Sequence, residues 1–302
     1  MPFRSRHYLS ALLCLIAWLM SSVAVQAVTL RDSHGLFTLN YQPKRIIALE
    51  YSFVDALAAV GVSPVGIADD NDPSRIMPAI RQQLSPWTSV GTRSQPSLEV
   101  IASLKPDLII ADADRHAAVY NELAKIAPVL LLPSRRETYQ RNLLSAKLIG
   151  EAVGRSKQMD QRIELHQQRM DQYKSQLRSL SGSTLQFAVV RPNGFYAHSP
   201  DSYDGGVFSR LGLESPQGLN NEHGSRQIRV EQLLALNPDY LVLGGDVSLE
   251  MVGKWKTKPL WSLLKAVQHN HILLVNSRIW VECRGMLAAE FMAQDLLKLV
   301  KA

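Results

Sequence analysis

From position 45 onward, short apolar runs alternate with segments whose apolar residues recur every three or four positions. The runs at 45–49, 65–68, 108–111 and 129–132 read as buried strands, and the segments at 52–60, 97–104 and 116–126 as helices. Gly61 ends the first helix, and Pro106 closes the second because proline cannot continue it. The alternation resumes at 185, with strands expected at 187–190, 240–243 and 272–275 and helices at 205–211, 229–236, 248–256 and 286–300. Strand and helix taking turns in this way predicts an α/β fold of two lobes, each a largely parallel sheet flanked by helices.

Between the halves, residues 155–181 contain no glycine or proline, and Gly154 and Gly182 bracket them. Met159, Ile163, His166, Met170, Tyr173, Leu177 and Leu180 fall on one helical face at spacings of four and three. At about 1.5 Å per residue such a helix spans roughly 40 Å. A single rigid inter-lobe helix explains this better than a coiled coil, for which about three heptads are marginal. His166 lies within the apolar stripe and reads as a packed histidine. The expected domains are an N-terminal lobe at 28–150, the helix at 151–182 and a C-terminal lobe at 183–302. A helix between lobes leaves few residues free to act as a hinge.

One design occurs twice. "SLEVIASLKPDLIIA" at 97–111 returns 132 residues later as "RVEQLLALNPDYLVL" at 229–243. Glu99 matches Glu231, Leu104 matches Leu236, and Pro106-Asp107 match Pro238-Asp239. Each copy is the same helix–strand element in its own lobe, so a ligand is expected in the cleft between lobes, at the carboxyl ends of the strands. Glu99 and Glu231 sit in the first turn of their helices, where the helix dipole alone explains a carboxylate. Matched carboxylates on two lobes also suit a two-fold symmetric partner, which presents one surface twice.

The 302 residues are 46% hydrophobic and 20% charged, a globular composition with room for two domains. The first 27 have a different character: a basic start at Arg4, Arg6 and His7, an apolar run to Met20, and Val25-Gln26-Ala27 as a cleavage-like tripeptide. This predicts a secretory signal peptide cleaved after Ala27, too short in its apolar run to span a bilayer, and hence an exported, periplasmic protein. Removing it lowers the formal net charge from +6 to +4 and leaves Cys283 as the sole cysteine, so no internal disulfide can form. No run of five basic residues suggests nucleic acid as a partner.

Enzyme motifs are absent: the chain has no G-x-S-x-G, H-E-x-x-H, C-x-x-C or phosphate loop. His269-Asn270-His271 precedes a strand, where a polar turn is expected in any case. Arginines stand out instead. Arg75, Arg93, Arg115, Arg135, Arg136, Arg191 and Arg284 occupy turns, several just past strand ends. Guanidinium holds its charge and grips carboxylate in a bidentate fork, so such a set suits a multiply anionic ligand. Trp280, close to Arg284, either packs on an apolar part of that ligand or belongs to the core.

These features resemble the periplasmic binding proteins for iron–siderophores and cobalamin. The resemblance is carried by "ADDND" at 68–72, "PW" at 86–87, "SVGTR" at 89–93, "QPSLE" at 95–99, "LKPDLIIAD" at 104–112, "RHA" at 115–117 and "IAPVLLL" at 126–132. In the second half it thins to "EQLLALNP" at 231–238, Trp280, "RG" at 284–285 and "AAE" at 288–290. It implies that Arg93, Arg115 and Arg284 bind a ferric citrate complex through its carboxylates, with Trp280 lining the second-lobe side. Arg191, whose segment 191–194 departs from the family, is a ligand candidate by its place after a strand alone. Iron(III) is then cargo held by citrate oxygens, with no resident cofactor and no metal ligand from the protein. It also implies that Glu99 and Glu231 dock a monomeric loaded protein onto an ABC-transporter permease dimer. Tyr203 stands where a member of the family has tryptophan, which leaves another carboxylate siderophore open. A periplasmic hydrolase of anionic substrates and direct metal binding by His269 and His271 are the competing readings.

Overall fold

Strand β3 (Ile46–Ala48) is buried along its whole length, as are β6 (Leu108–Asp112) and β7 (Val129–Leu132). Strands covered on both faces need unbroken apolar runs, which is why these three are the most legible in the sequence. They form a wholly parallel sheet in the order β5-β4-β3-β6-β7, with β4 at Gly66–Ile67 and β5 at Thr88–Ser89. A computed structural model describes residues 27–219, 224–245, 247, 251–252, 255 and 258–300. The expected signal segment, apart from Ala27, and most of the expected helix at 248–256 lie outside the described residues.

The second sheet has the order β10-β9-β8-β11-β12. Strands β8 (Leu185–Arg191), β11 (Tyr240–Gly245) and β12 (Ile272–Leu274) are parallel to one another. Strands β9 (Gly194–His198) and β10 (Ser225–Ile228) extend the sheet antiparallel, through a hairpin off β8. The chain pattern did not signal them, because β9 is half-buried almost throughout and β10 is mostly exposed. An antiparallel ribbon of β1 (Val28–Arg31) and β2 (Leu36–Leu39) precedes the first sheet.

The duplicated segment has a structural cause in each lobe. Helix α2 (Leu98–Ser103) leads into β6, and the corresponding helix before β11 covers Val230–Leu236. Between helix and strand, Lys105 (φ 46°) and Asn237 (φ 41°) take the same left-handed conformation. The aspartate after the shared proline then ties down the neighbouring strand. Asp107 accepts hydrogen bonds from the Lys44 and Arg45 amides, both at 2.8 Å, ahead of β3. Asp239 accepts from the Thr184 amide at 2.9 Å and its hydroxyl at 2.7 Å, ahead of β8.

Helix α1 (Tyr51–Ala59) and helix α3 (Tyr139–Ala152) pack on the first lobe. Helix α4 (Ser156–Gln176) is shorter than its pattern, and a 3₁₀ turn at Arg178–Leu180 carries the apolar stripe onward. That one stripe feeds two cores: Met159 packs into the first lobe, and Met170, Leu177 and Leu180 into the second. Helices α5 (Tyr203–Leu211), α6 (Val230–Leu236) and α7 (Met286–Leu296) complete the principal helices.

Helix α7 comes back across the molecule. Met286 and Ala288 join the core of the first lobe, while Ala289, Met292, Ala293 and Leu296 join that of the second. Asp55 of α1 accepts from the Leu287 and Ala288 amides at 3.3 and 3.1 Å, capping α7 from the other lobe. The approach is close enough that a Cβ at Gly285 would lie 2.4 Å from the Asp55 carboxyl carbon, so only glycine fits there. Glu290 then ties α7 to α4 through Arg162 at 2.7 Å, Arg169 at 2.8 Å and His166 at 2.8 Å. His166 is fully buried and also meets the Tyr139 hydroxyl, so it serves packing between helices.

Candidate ligand-binding cleft

The strands of the first sheet all point their carboxyl ends the same way, and the turns that follow them carry the charge. Glu50 and Tyr51 follow β3, Asp69 and Asp70 follow β4, Arg93 follows β5, Arg115 follows β6, and Arg135 and Arg136 follow β7. From the second lobe come Arg191 at the end of β8, His198 at the end of β9, and Ser202 to Asp204 at the start of α5. The segment 280–284, between β12 and α7, supplies Trp280, Glu282 and Arg284. Together they enclose a cleft of about 570 Å³ lined by six arginines, Arg93, Arg115, Arg135, Arg136, Arg191 and Arg284. All five residues expected at the ligand line this cleft.

Their settings differ. Arg93 is 7% exposed and is held by Asp70, whose carboxylate accepts from its Nε at 3.0 Å, its Nη2 at 2.8 Å and its backbone amide at 2.8 Å. Its guanidinium also lies 4.1 Å over the Tyr51 ring and 3.9 Å from Glu50. Burial works against ionisation of Asp70, but the hydrogen bonds from Arg93 outweigh it and keep the carboxyl below its ordinary range. Arg115 pairs through Nε with Glu50 and lines the cleft. Arg191 is exposed and lies 4.6 Å over the Tyr196 ring. Arg284 is half-buried and, among the described residues, has neither a hydrogen-bond nor an ion-pair partner. Burial depresses its pKa against the attraction of Glu50. Trp280 is 1% exposed; its indole donates to Asp295 at 3.0 Å and its ring packs on Phe187 and Phe208, so it meets the cleft only with an edge.

Several positioning residues escaped the sequence reading. Asp112 is fully buried and accepts from the amides of Asp114 and Arg115 with one oxygen and those of Ser134 and Arg135 with the other, at 2.8–3.1 Å. One carboxylate thus fixes two arginine-bearing turns. His116 accepts from the Asp112 amide at 2.9 Å through Nδ1 and donates to the Arg93 carbonyl at 2.8 Å through Nε2. Burial lowers its pKa, consistent with a neutral ring that locks the Arg93 loop to the Arg115 turn. Asp69 accepts from the Trp87 indole at 3.0 Å and from the Ser89 hydroxyl, joining "ADDND" to "PW" and "SVGTR". Glu50 is 1% exposed, and burial beneath the arginines raises its pKa to about 7 even though Arg115 opposes the shift. The only sequence signal of Asp69, Asp112 and His116 was membership of the motif runs, and Glu50 had none.

On the second lobe, His198 Nδ1 meets Asp204 at 2.7 Å, and the Ser202 hydroxyl donates to the same carboxylate at 3.0 Å. Among the described residues no group of three or more His, Cys, Asp or Glu side chains is placed to hold a metal ion. His269 and His271 lie 5.6 Å apart ring to ring, and His271 stacks on Tyr240 away from the cleft. Glu99 and Glu231 are exposed on the first turns of α2 and α6, and the Ser97 hydroxyl donates to Glu99 at 3.1 Å.

The family model described as "Periplasmic binding protein" matches residues 46–279, spanning both sheets. The chain belongs to the periplasmic binding protein family. Among members of this family, it is 49% identical over 273 residues to the Fe(3+) dicitrate-binding periplasmic protein FecB of Escherichia coli, covering 90% of each chain. It is 37% identical over 271 residues to the Fe(3+)-citrate-binding protein YfmC of Bacillus subtilis, covering 90% of this chain and 85% of that one. The solved structure of Staphylococcus aureus SirA complexed with staphyloferrin B superposes with a TM-score of 0.78 at 20% identity, over 91% of this chain and 98% of that one. That likeness establishes the two-lobed binding-protein fold. Among the described residues no helix is long and apolar enough to cross a membrane.

Proposed function

We propose that this periplasmic binding protein captures ferric citrate between its lobes and delivers it to an ABC-transporter permease for iron import. The observation that carries this is the ring of six arginines around one cleft, with Arg284 in no ion pair among the described residues and Arg115 paired with Glu50 through Nε. Such a site grips carboxylates at several points, which a chelate of citrate offers and a bare cation does not. The two relatives named for ferric citrate share more than a third of their residues with this chain over most of its length. Iron(III) is then carried inside the citrate oxygens, and the protein binds without catalysing a reaction. The chain is exported by its signal peptide, cleaved after Ala27, and works as a monomer.

Calorimetric titration of the mature protein tests this directly. Ferric citrate is expected to bind at micromolar affinity or tighter, and iron-free citrate more weakly. Absence of binding by ferric citrate would overturn the reading, and tighter binding of another carboxylate siderophore would redirect it.

Delivery rests on Glu99 and Glu231, one exposed carboxylate per lobe at matched positions, facing two copies of one basic surface on a permease dimer. Replacing both by alanine is expected to leave ferric citrate affinity unchanged and abolish citrate-dependent iron uptake in cells. Undiminished uptake would exclude the docking role.

A further inference from the structure

Arg93 lines the cleft but not as a free cation; Arg75, which is not among the lining residues, shares its carboxylates. Glu282 receives Arg75 Nη1 on both carboxylate oxygens, at 3.1 and 3.3 Å, and its Oε2 lies 3.5 Å from Arg93 Nη2. Asp70 touches the same two guanidinium groups, at 3.2 and 2.8 Å. Two arginines thus share two carboxylates, with Glu50 also 3.9 Å from Arg93 and Asp72 3.8 Å from Arg75. The carboxylates are not equivalent. Asp70 also binds the Arg93 backbone amide and so belongs to the loop it supports. Glu282 comes from the 280–284 segment, more than 180 residues further on, and lines the cleft with its side chain 21% exposed.

The backbone that carries Glu282 is fixed. It ends a π-helical turn, Arg278–Glu282, whose Ile279 and the following Cys283 are buried in the first lobe's core. Arg278 pairs with Asp72 at 3.3 Å and pins the start of the same turn. Only the Glu282 side chain is left to move. Its carboxylate therefore occupies a place on Arg93 that a ligand carboxylate in the cleft would take.

From this geometry we infer that Glu282 is a tethered competitor: an anionic ligand in the cleft reaches Arg93 by displacing its carboxylate. The inference rests on the anion-binding reading of the cleft and adds a residue that limits affinity. A site occupied by its own carboxylate for nine-tenths of the time binds about tenfold more weakly than the same site left open. It also lets the ligand go more easily, because the displaced group returns to the arginines without diffusing.

Two variants separate occupancy from charge. Glu282→Gln removes the charge; Glu282→Asp keeps it but, on a fixed backbone, falls one methylene short of the arginines. Both are expected to bind ferric citrate about tenfold more tightly than wild type in calorimetric titration. Tightening by Glu282→Gln alone would make the effect one of general charge and overturn displacement; weakening or no change in both would make Glu282 a supporting residue and overturn it too. A second probe keeps this independent of the citrate reading. Sulfate is expected to raise the melting temperature of either variant more than that of wild type, because any anion gains access to the opened Arg93. If wild type ignores ferric citrate but the sulfate difference appears, the ferric citrate reading fails and displacement stands. Equal sulfate responses in all three proteins would overturn displacement whatever the ligand.

Discussion

Arg284→Ala is expected to weaken ferric citrate binding about a hundredfold, against about tenfold for Arg93→Ala. The two arginines differ in what already satisfies them. Arg93 divides its charge among Asp70, Glu50 and Glu282, whereas Arg284 makes no hydrogen bond or ion pair among the described residues and is attracted by Glu50 and Asp204 only from further off. A hydrogen bond to a charged group contributes about 1.5–3 kcal/mol, and a half-buried, unshared guanidinium belongs at the upper end of that range. At about 1.4 kcal/mol per tenfold this is a loss of roughly tenfold to more than a hundredfold. The stability of the variants runs the other way. Arg93→Ala takes one of two cations from each of Asp70 and Glu50, leaving them Arg75 and Arg115, while Arg284→Ala relieves Arg93 and Arg115 of a like-charged neighbour. Titration calorimetry and thermal unfolding of both variants read this out. A smaller binding loss for Arg284→Ala than for Arg93→Ala would mean that the ligand sits on the Arg93 wall alone.

Glu290→Ala is expected to destabilise the protein by about 3–5 kcal/mol, as removal of one member of a buried ion-pair cluster does. The variant leaves Arg162 and the buried His166 facing a void where both found a carboxylate. For a chain of this size the melting temperature falls by roughly 10 °C. Burial works against the charge on Glu290, but His166, Arg162 and Arg169 together bring its pKa down from 4.5 to about 2. A depressed carboxyl stabilises the fold fully above its unfolded pKa, so this contribution holds above about pH 4.5 and disappears as the pH falls through 2. Glu50 has the opposite sign: raised from 4.5 to about 7, it favours the fold below pH 4.5 and loses that contribution as the pH rises through 7. Wild type and Glu290→Ala melted between pH 2 and pH 7 are expected to converge at the acid end. A constant difference across that range would place the contribution of Glu290 in packing and not in charge.

The parts of this molecule that were legible in the sequence share a physical reason. Strands β3, β6 and β7 are covered on both faces and therefore carry continuous apolar runs. The α4 stripe was legible because each of its buried positions is long or aromatic. Helix α3 was not, since its buried face includes Asn142, Ser145 and Gly150, small or polar residues that break the apolar period. The arginines were legible at the cleft because a guanidinium just past a strand end stands where a ligand between the lobes is met. Asp70, Asp112 and His116 were hidden for the opposite reason: each acts through backbone atoms or another side chain, and a lone Asp or His in a loop reads as solvated. The competition of Glu282 for Arg75 and Arg93 had no signal at all, since it joins residues more than 180 positions apart.

The return of α7 bears on how the molecule can be made. The first lobe is synthesised first, yet Ile279, Cys283, Met286 and Ala288 complete its core, and Asp55 of that lobe awaits the amides of Leu287 and Ala288. Until the last twentieth of the polypeptide has been made, neither half can finish packing. A nascent chain of this design stays without a completed core for most of its elongation, which is the condition in which a polypeptide can still be threaded across a membrane.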